Sequence, residues 1–259
     1  MKFVDLHSHI LPGIDDGAKN AEIAALMANA CLQQGIDTIV CTPHYYHSRK
    51  NSVASFIEKR EESLELLKNE LTKRNKPSPE FFLGAEVLFD CELTEIQDIE
   101  KLAFSGTNYI LIEMPYTPWQ TWMFEYIYDL IALKNLTPVI AHIERYEQSP
   151  EMIEQLAGME VCFQINADSV LGGPCKSRAH KLLDEGLVQI IATDTHNMNS
   201  RPPKMSEAFK AIEQKYSEKY SAHLIENSRR IIQNLEIEKA ELEYYAHKTK
   251  KRFFGRFFR

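Results

Sequence analysis

Phe3-Val4-Asp5-Leu6-His7-Ser8-His9 is a short apolar run that ends in two histidines at alternate positions. The pattern recurs along the chain. Thr38-Ile39-Val40-Cys41 leads to His44, Phe81-Phe82-Leu83-Gly84-Ala85 to Glu86, and Tyr109-Ile110-Leu111-Ile112 to Glu113. Val139-Ile140-Ala141 leads to His142, and Ile190-Ile191-Ala192-Thr193 to Asp194 and His196. Apolar runs of this length are the mark of strands buried on both faces. If such strands run parallel around a barrel, their C-terminal ends share one mouth, where barrel enzymes keep their chemistry. Nitrogen and oxygen ligands converging there, with no cysteine among them, predict a metal centre.

Helical patterns separate the runs. Asn20 is an N-cap candidate, Ile23, Leu26, Met27, Ala30 and Cys31 repeat at helical spacing, and Gly35 stands where a C-terminal cap belongs. A charged helix is expected over 53–74, with Phe56, Ile57, Leu64, Leu67 and Leu71 as its apolar face, closed by Pro77 and Pro79. Further helices are expected over 95–102, 119–134, 152–157 and 177–185, with strands over 161–165 and 188–193 and two final helices over 204–216 and 221–245. Strand and helix alternate about seven times, which predicts a parallel α/β sheet. Ligands spread over nearly every strand favour closure into a barrel rather than an open sheet with one switch point.

The bulk composition leaves room for this. A chain of 259 residues with 44% hydrophobic content can form one large core, and single α/β barrels run to about 250 residues. A net charge of -7 argues against a general nucleic-acid binder, which needs a basic surface. No leader-like or membrane-spanning apolar segment is seen, so a cytoplasmic location is expected. The five cysteines, Cys31, Cys41, Cys91, Cys162 and Cys175, form no C-x-x-C pair, and none is followed six positions later by arginine. Neither a disulfide framework nor a zinc knuckle is indicated, and any phosphoryl chemistry must use a nucleophile other than cysteine.

Each ligand candidate also has a plain structural reading. His7 and His9 lie on one face of an extended segment and could be a polar strand end. Asp15-Asp16-Gly17 would ordinarily be a turn. Glu86 and Glu113 follow such apolar runs that they are expected to be partly buried, and a buried carboxylate must be paired or metal-bound. Asp194-Thr195-His196 repeats the alternate-residue geometry. Coincidence at six strand ends is improbable, and the set exceeds one tetrahedral site. Two or three ions with bridging carboxylates are implied, and mixed imidazole and carboxylate ligation suits manganese, iron or zinc. Clustered ions favour phosphoester hydrolysis by an activated water. No Walker loop, dinucleotide fingerprint or G-x-S-x-G elbow competes.

The stretch 5–18, DLHSHILPGIDDGA, together with Thr42-Pro43-His44, Gly84-Ala85-Glu86, Ile112-Glu113, Ala141-His142-Ile143-Glu144-Arg145-Tyr146, Asp194-Thr195-His196-Asn197 and Arg201-Pro202-Pro203, resembles the polymerase-and-histidinol-phosphatase (PHP) superfamily. Within it the chain is similar to the bacterial manganese-dependent protein-tyrosine phosphatases of capsule and exopolysaccharide gene clusters. The match runs from about residue 1 to about residue 235. It implies a distorted (β/α)7 TIM-like barrel of the PHP type with a trinuclear centre, and dephosphorylation of the tyrosine-rich tail of a membrane-associated tyrosine autokinase. It also implies His7, His9, Glu86 and Asp194 as ligands of one ion, Glu86, Glu113 and His142 of a second with Glu86 bridging, and Asp16, His44 and His196 of a third. Arg145 and Arg201 match two phosphate-facing arginines. Their plain readings are a salt bridge from Arg145 to Glu144 or Glu147, and a helix-entry role for Arg201 before Pro202. A phosphate monoester with nearly two negative charges suits the paired donors of arginine.

Two other readings stay open at this stage. One is another PHP phosphoesterase, of histidinol-phosphate or nuclease-like type. The other is a non-catalytic regulator that binds the phosphorylated kinase tail. One domain is expected over 1–247. The segment 248–259, KTKKRFFGRFFR, lies outside the resemblance and places six basic residues and four phenylalanines in twelve positions. It is either a frayed terminus or a peripheral anchor on an anionic membrane. The oligomeric state is not legible.

Overall fold

A computed structural model describes residues 2–47 and 52–237, so the basic-aromatic segment lies outside the described residues. Among the described residues, every strand pairing is parallel. The chain runs β1 (Phe3–Ser8), α1 (Ala21–Gln33), β2 (Ile36–Cys41), β3 (His44–Tyr45), α2 (Val53–Lys73), β4 (Glu80–Leu83) and β5 (Glu86–Leu88). It continues through β6 (Tyr109–Glu113), α3 (Thr121–Lys134), β7 (Thr137–Ile140), α4 (Pro150–Ala157) and β8 (Cys162–Asn166). The remaining elements are α5 (Ala167–Leu171), α6 (Lys176–Asp184), β9 (Ile190–Ala192), α7 (Met205–Lys215) and α8 (Glu218–Ile232).

Among the described residues, nine strands occupy seven positions. β2 pairs with β4 and β3 with β5, so each couple is one strand broken at the same level, at Thr42-Pro43 in one and Gly84-Ala85 in the other. Hydrogen bonds from Gly84 N–H to the Cys41 carbonyl (2.9 Å) and from Glu86 N–H to the Pro43 carbonyl (3.1 Å) carry the register across the break. At the other edge β9 returns to β1. Asp194 N–H donates to the His7 carbonyl (2.8 Å), His9 N–H donates to the Thr195 carbonyl (3.0 Å), and Ser8 bridges Thr195. The order β1, β2/β3, β4/β5, β6, β7, β8, β9 therefore closes into the expected distorted seven-position barrel. Below that contact the seam is completed by the buried Asp5 side chain, which accepts from the Thr193 N–H (2.9 Å) and the Thr193 hydroxyl.

Side chains at alternate strand positions separate into two clusters, as the two-residue repeat requires. Val4, Leu6, Val40, Tyr109, Leu111, Val139, Ala141, Cys162, Ile190 and Ala192 pack together as the barrel interior, joined by Ile231 of α8. Their neighbours Phe3, Ile39, Ile110, Ile112, Ile140, Phe163, Ile165 and Ile191 pack against the helices. Continuing the interior repeat toward the C-terminal ends reaches Glu113 on β6, Gln164 and then Asn166 on β8, and Asp194 after β9. Glu113 and Asp194 thus lie on the interior rows, whereas His7, His9 and His142 fall one residue out of that alternation, where β1 has a register irregularity between Asp5 and Ser8 and His142 takes a left-handed φ of 32°.

Several local expectations need correction. In α1 the buried face is Ala24, Ala25, Met27, Ala28, Ala30 and Cys31, while Ile23 and Leu26 are exposed. Small residues face the barrel because they let the helix approach closely. The helix expected over 95–102 is two short 3-10 turns, Leu93–Glu95 and Ile99–Leu102, because Asp98 takes the left-handed conformation between them. α5 was not foreseen. α8 starts before residue 221 and ends at Ile232, with Asn234 left-handed just beyond. No helix among the described residues is long and apolar enough to cross a membrane.

Candidate metal centre

Glu86 is the hub. It begins β5 immediately after the break and is buried. Gly84, in that break, is required because a Cβ there would stand 2.8 Å from the Phe104 ring. The Gly84 carbonyl is held by the buried Arg60 guanidinium of α2 at 2.7 Å. One Glu86 oxygen, Oε1, lies 2.9 Å from His142 Nε2, and the other, Oε2, lies 3.3 Å from His7 Nε2, 3.2 Å from His9 Nε2 and 3.0 Å from His44 Nδ1. Two sets of nitrogens therefore converge on the two oxygens of one carboxylate.

His7 Nε2, His9 Nε2, Glu86 Oε2 and Asp194 Oδ1 approach one another closely: 3.1 Å between the two histidines, 3.5 Å and 3.4 Å from them to Asp194. A tetrahedral ion with bonds of about 2.1 Å separates its ligands by about 3.4 Å, so the atoms of His7, His9 and Asp194 already have the spacing of one coordination shell, with Glu86 Oε2 beside the two histidines. His142 Nε2 also faces Glu113 Oε1 at 3.8 Å, on the far side of Glu86. Asp16 Oδ1 lies 3.4 Å from His44 Nε2 and 3.3 Å from His196 Nε2. All nine predicted residues are brought together, in four overlapping groups of potential ligand atoms: His9, Asp16, His44 and His196; His7, Glu86 and His142; His7, His9 and Asp194; and His44, Glu86 and Glu113.

Unpartnered atoms point the same way. Glu86 Oε2, Asp194 Oδ1 and His196 Nε2, which face the cluster, are buried and make no hydrogen bond, and burying such groups without a partner costs free energy. A divalent cation would satisfy them, so the residues present fit a metal cluster. Two ligand candidates, His142 and Asp194, take left-handed φ values of 32° and 50°, uncommon for residues other than glycine.

Residues absent from the sequence-based site set fix the ring orientations. His7 Nδ1 lies 3.0 Å from Gln164 Oε1, which also accepts the His142 backbone N–H at 2.8 Å. His9 Nδ1 lies 2.8 Å from Asp15 Oδ2, and Asp15 accepts the Gly17 N–H through its other oxygen. Each contact directs the opposite ring nitrogen at the cluster. Gly17 has no alternative here, since a Cβ would stand 2.0 Å from the His9 carbonyl oxygen. Asn166 donates to Asp194 Oδ2 at 2.9 Å and accepts from Gln164 at 2.8 Å. Gln164 carried a legible signal, a glutamine inside an otherwise apolar run.

The electrostatics divide the carboxylates. Burial opposes the charges on Glu86 and Asp194, but His7 and its neighbours hold both below the ordinary range. Burial and the charge of Glu86 push Glu113 up to about 7. Burial disfavours a charged His9, yet Asp15 and Glu86 push it up to about 10.

Both predicted arginines converge on Asp194 Oδ2, with Nη2 of Arg145 at 2.6 Å and of Arg201 at 2.5 Å. The plain reading of Arg145 does not hold, because Glu147 pairs with Arg178 at 3.0 Å instead. Arg201 is likewise drawn to the cluster rather than standing as a helix entry. A separate cavity of about 380 Å³ between α4 and α6, lined by Ile143, Ile153, Leu182 and Leu187, contains none of the ligand candidates.

Comparison with known proteins agrees with this architecture. The family model for capsular polysaccharide synthesis, CpsB/CapC, matches residues 3–233. The chain belongs to the CpsB/CapC family. It is 31% identical to the tyrosine-protein phosphatase YwqE of Bacillus subtilis over 239 residues, covering 89% of this chain and 92% of YwqE. It is 32% identical to the tyrosine-protein phosphatase CpsB of Streptococcus pneumoniae over 242 residues, covering 88% and 98%. A solved structure from work on YwqE and CpsB, described as unique metal-dependent tyrosine phosphatases, superposes with a TM-score of 0.82 at 30% identity, covering 92% of this chain and 97% of that one.

Proposed function

We propose that this CpsB/CapC member is a metal-dependent protein-tyrosine phosphatase that acts in the cytoplasm on the phosphotyrosine tail of a membrane-associated bacterial tyrosine kinase, within capsule or exopolysaccharide synthesis. The observation that carries the reading is the set of overlapping ligand groups, two of them sharing Glu86, with two arginines on Asp194, in a chain whose relatives YwqE and CpsB are named tyrosine-protein phosphatases.

We assign His7, His9, Glu86 and Asp194 to one ion, Glu86, Glu113 and His142 to a second, and Asp16, His44 and His196 to a third, with manganese as the favoured metal and iron or zinc as substitutes. Such ions supply an activated water and neutralise charge on the phosphoryl group. Arg145 and Arg201 are partly exposed, with 27% and 34% of their side chains accessible, so their guanidinium groups can turn donors toward phosphate oxygens. Asp194 holds them in place until a dianionic ester competes for them. Asp15 and Gln164 keep the His9 and His7 rings aimed at the cluster. The leaving tyrosinate, with an ordinary pKa of about 10, departs with little need for a proton donor.

The deciding experiment measures bound metal and phosphate release from a phosphotyrosine peptide, with histidinol phosphate and an oligonucleotide as competing substrates. The reading requires two to three ions per chain and manganese-stimulated release from the peptide. A single zinc with no gain from manganese, or preference for either alternative substrate, refutes it.

A further inference from the structure

Two exposed tyrosines border the ligand cluster. Tyr46, 49% exposed, lies with its ring 5.4 Å from that of His44 and 22° from parallel. Tyr116, 60% exposed, lies 6.4 Å from the His142 ring at 21° and 5.3 Å from the Tyr146 ring. His44 and His142 face opposite oxygens of Glu86, so the tyrosines approach the hub from two sides. The charged surroundings register on both. Burial and the carboxylates of Glu113, Glu86, Asp16 and Asp15 push the Tyr46 hydroxyl up to about 12, and the Tyr116 hydroxyl interacts with Arg145.

The exposure of the cluster sets the direction of approach. His7, His9, Glu86 and Asp194 are buried, whereas the side chains of His44, Asp16 and Glu113 are 16%, 65% and 12% accessible. A phosphate within reach of the ligand groups therefore lies at the floor, and its ester substituent leaves on the side where Tyr46 and Tyr116 stand. A phenyl ring begins one bond beyond the ester oxygen and offers a face to stack at the usual 4.5–7 Å centroid range. An alkyl ester has no such face.

We propose that Tyr46 and Tyr116 form an aromatic rim that receives the phenyl ring of the phosphorylated tyrosine and makes the site select aryl over alkyl phosphate monoesters. This rests on the phosphatase reading above and names the residues that give it substrate class.

The test uses the metal-loaded full chain. One measurement is the ratio of kcat/KM for a phosphotyrosine peptide to that for the phosphoserine peptide of the same sequence. The other is the calorimetric affinity of a non-hydrolysable phosphonomethylphenylalanine peptide. Replacing both tyrosines by alanine should lower the ratio and the affinity at least tenfold, about 1.4 kcal/mol, chiefly through KM. The double phenylalanine variant should keep both near wild type, because it keeps the rings. A ratio unmoved in the alanine pair overturns the rim, and so does an equal loss in the phenylalanine pair, which would assign the effect to the hydroxyl on Arg145. If the wild type binds the phosphonate peptide in a ring-dependent way but hydrolyses neither ester, the phosphatase reading fails while the rim stands.

Discussion

Replacing Gln164 by leucine should loosen metal binding without touching a ligand. Gln164 Oε1 accepts from the His142 backbone N–H at 2.8 Å and faces His7 Nδ1 at 3.0 Å, and both partners are buried. Leucine fills a similar volume but accepts nothing. Each buried donor left without an acceptor costs about 1–3 kcal/mol, so the metal-free fold should lose about 2–6 kcal/mol. The His7 ring is then free to change tautomer or rotate away from Glu86 and Asp194. Loss of such an outer hydrogen bond weakens metal affinity about 10–100-fold, which is about 1.4–2.7 kcal/mol. The assay is a chelator-buffered manganese titration of metal-free protein followed by calorimetry, with circular dichroism confirming the fold. Gln164→Glu retains the acceptor and should bind metal more tightly than the leucine variant. A folded Gln164→Leu protein with wild-type manganese affinity would refute the claim that β8 positions the cluster.

Glu86→Ala should lose more metal than His44→Ala, since Glu86 offers an oxygen to each of two groups while His44 faces one side of it; equal partial loss measured by elemental analysis counts against bridging. Arg145→Ala should lower kcat at least tenfold with metal content intact, because Asp194 keeps Arg201 and Asn166 as partners; an unchanged rate returns Arg145 to a structural role. Metal uptake should release protons, because Glu113 and His9, pushed up to about 7 and about 10, must both deprotonate to coordinate. Affinity therefore rises with pH, and the protons released per chain should fall as pH passes 7; a release that is flat from pH 6 to 8, or identical in Glu113→Gln, contradicts this. Deleting the residues after Ala246 should abolish salt-sensitive binding to anionic vesicles while peptide phosphatase activity persists, at about 1 kcal/mol per basic residue near the surface. Full-length protein that ignores such vesicles at low salt would exclude an anchor.

The sequence by itself determined the architecture and the ligand candidates, because both depend on local order. A strand buried on both faces must be a continuous apolar run, and a ligand at its end must follow directly, so His7, Glu86, Glu113 and Asp194 were legible from their neighbours alone. Helix caps were legible for the same reason: Asn20 caps α1 through a bond to Ile23 three residues away. Tertiary structure alone decided which face of α1 is buried, since Ala24 and Ala28 were chosen by the space between helix and barrel rather than by hydrophobicity. It alone joined residues far apart in the chain, setting Gln164 against His7, Asp15 against His9, and Arg145 with Arg201 on one Asp194 oxygen. Such contacts depend on where parallel strands meet around the barrel, and periodicity along one strand carries no record of its register with a strand across the barrel.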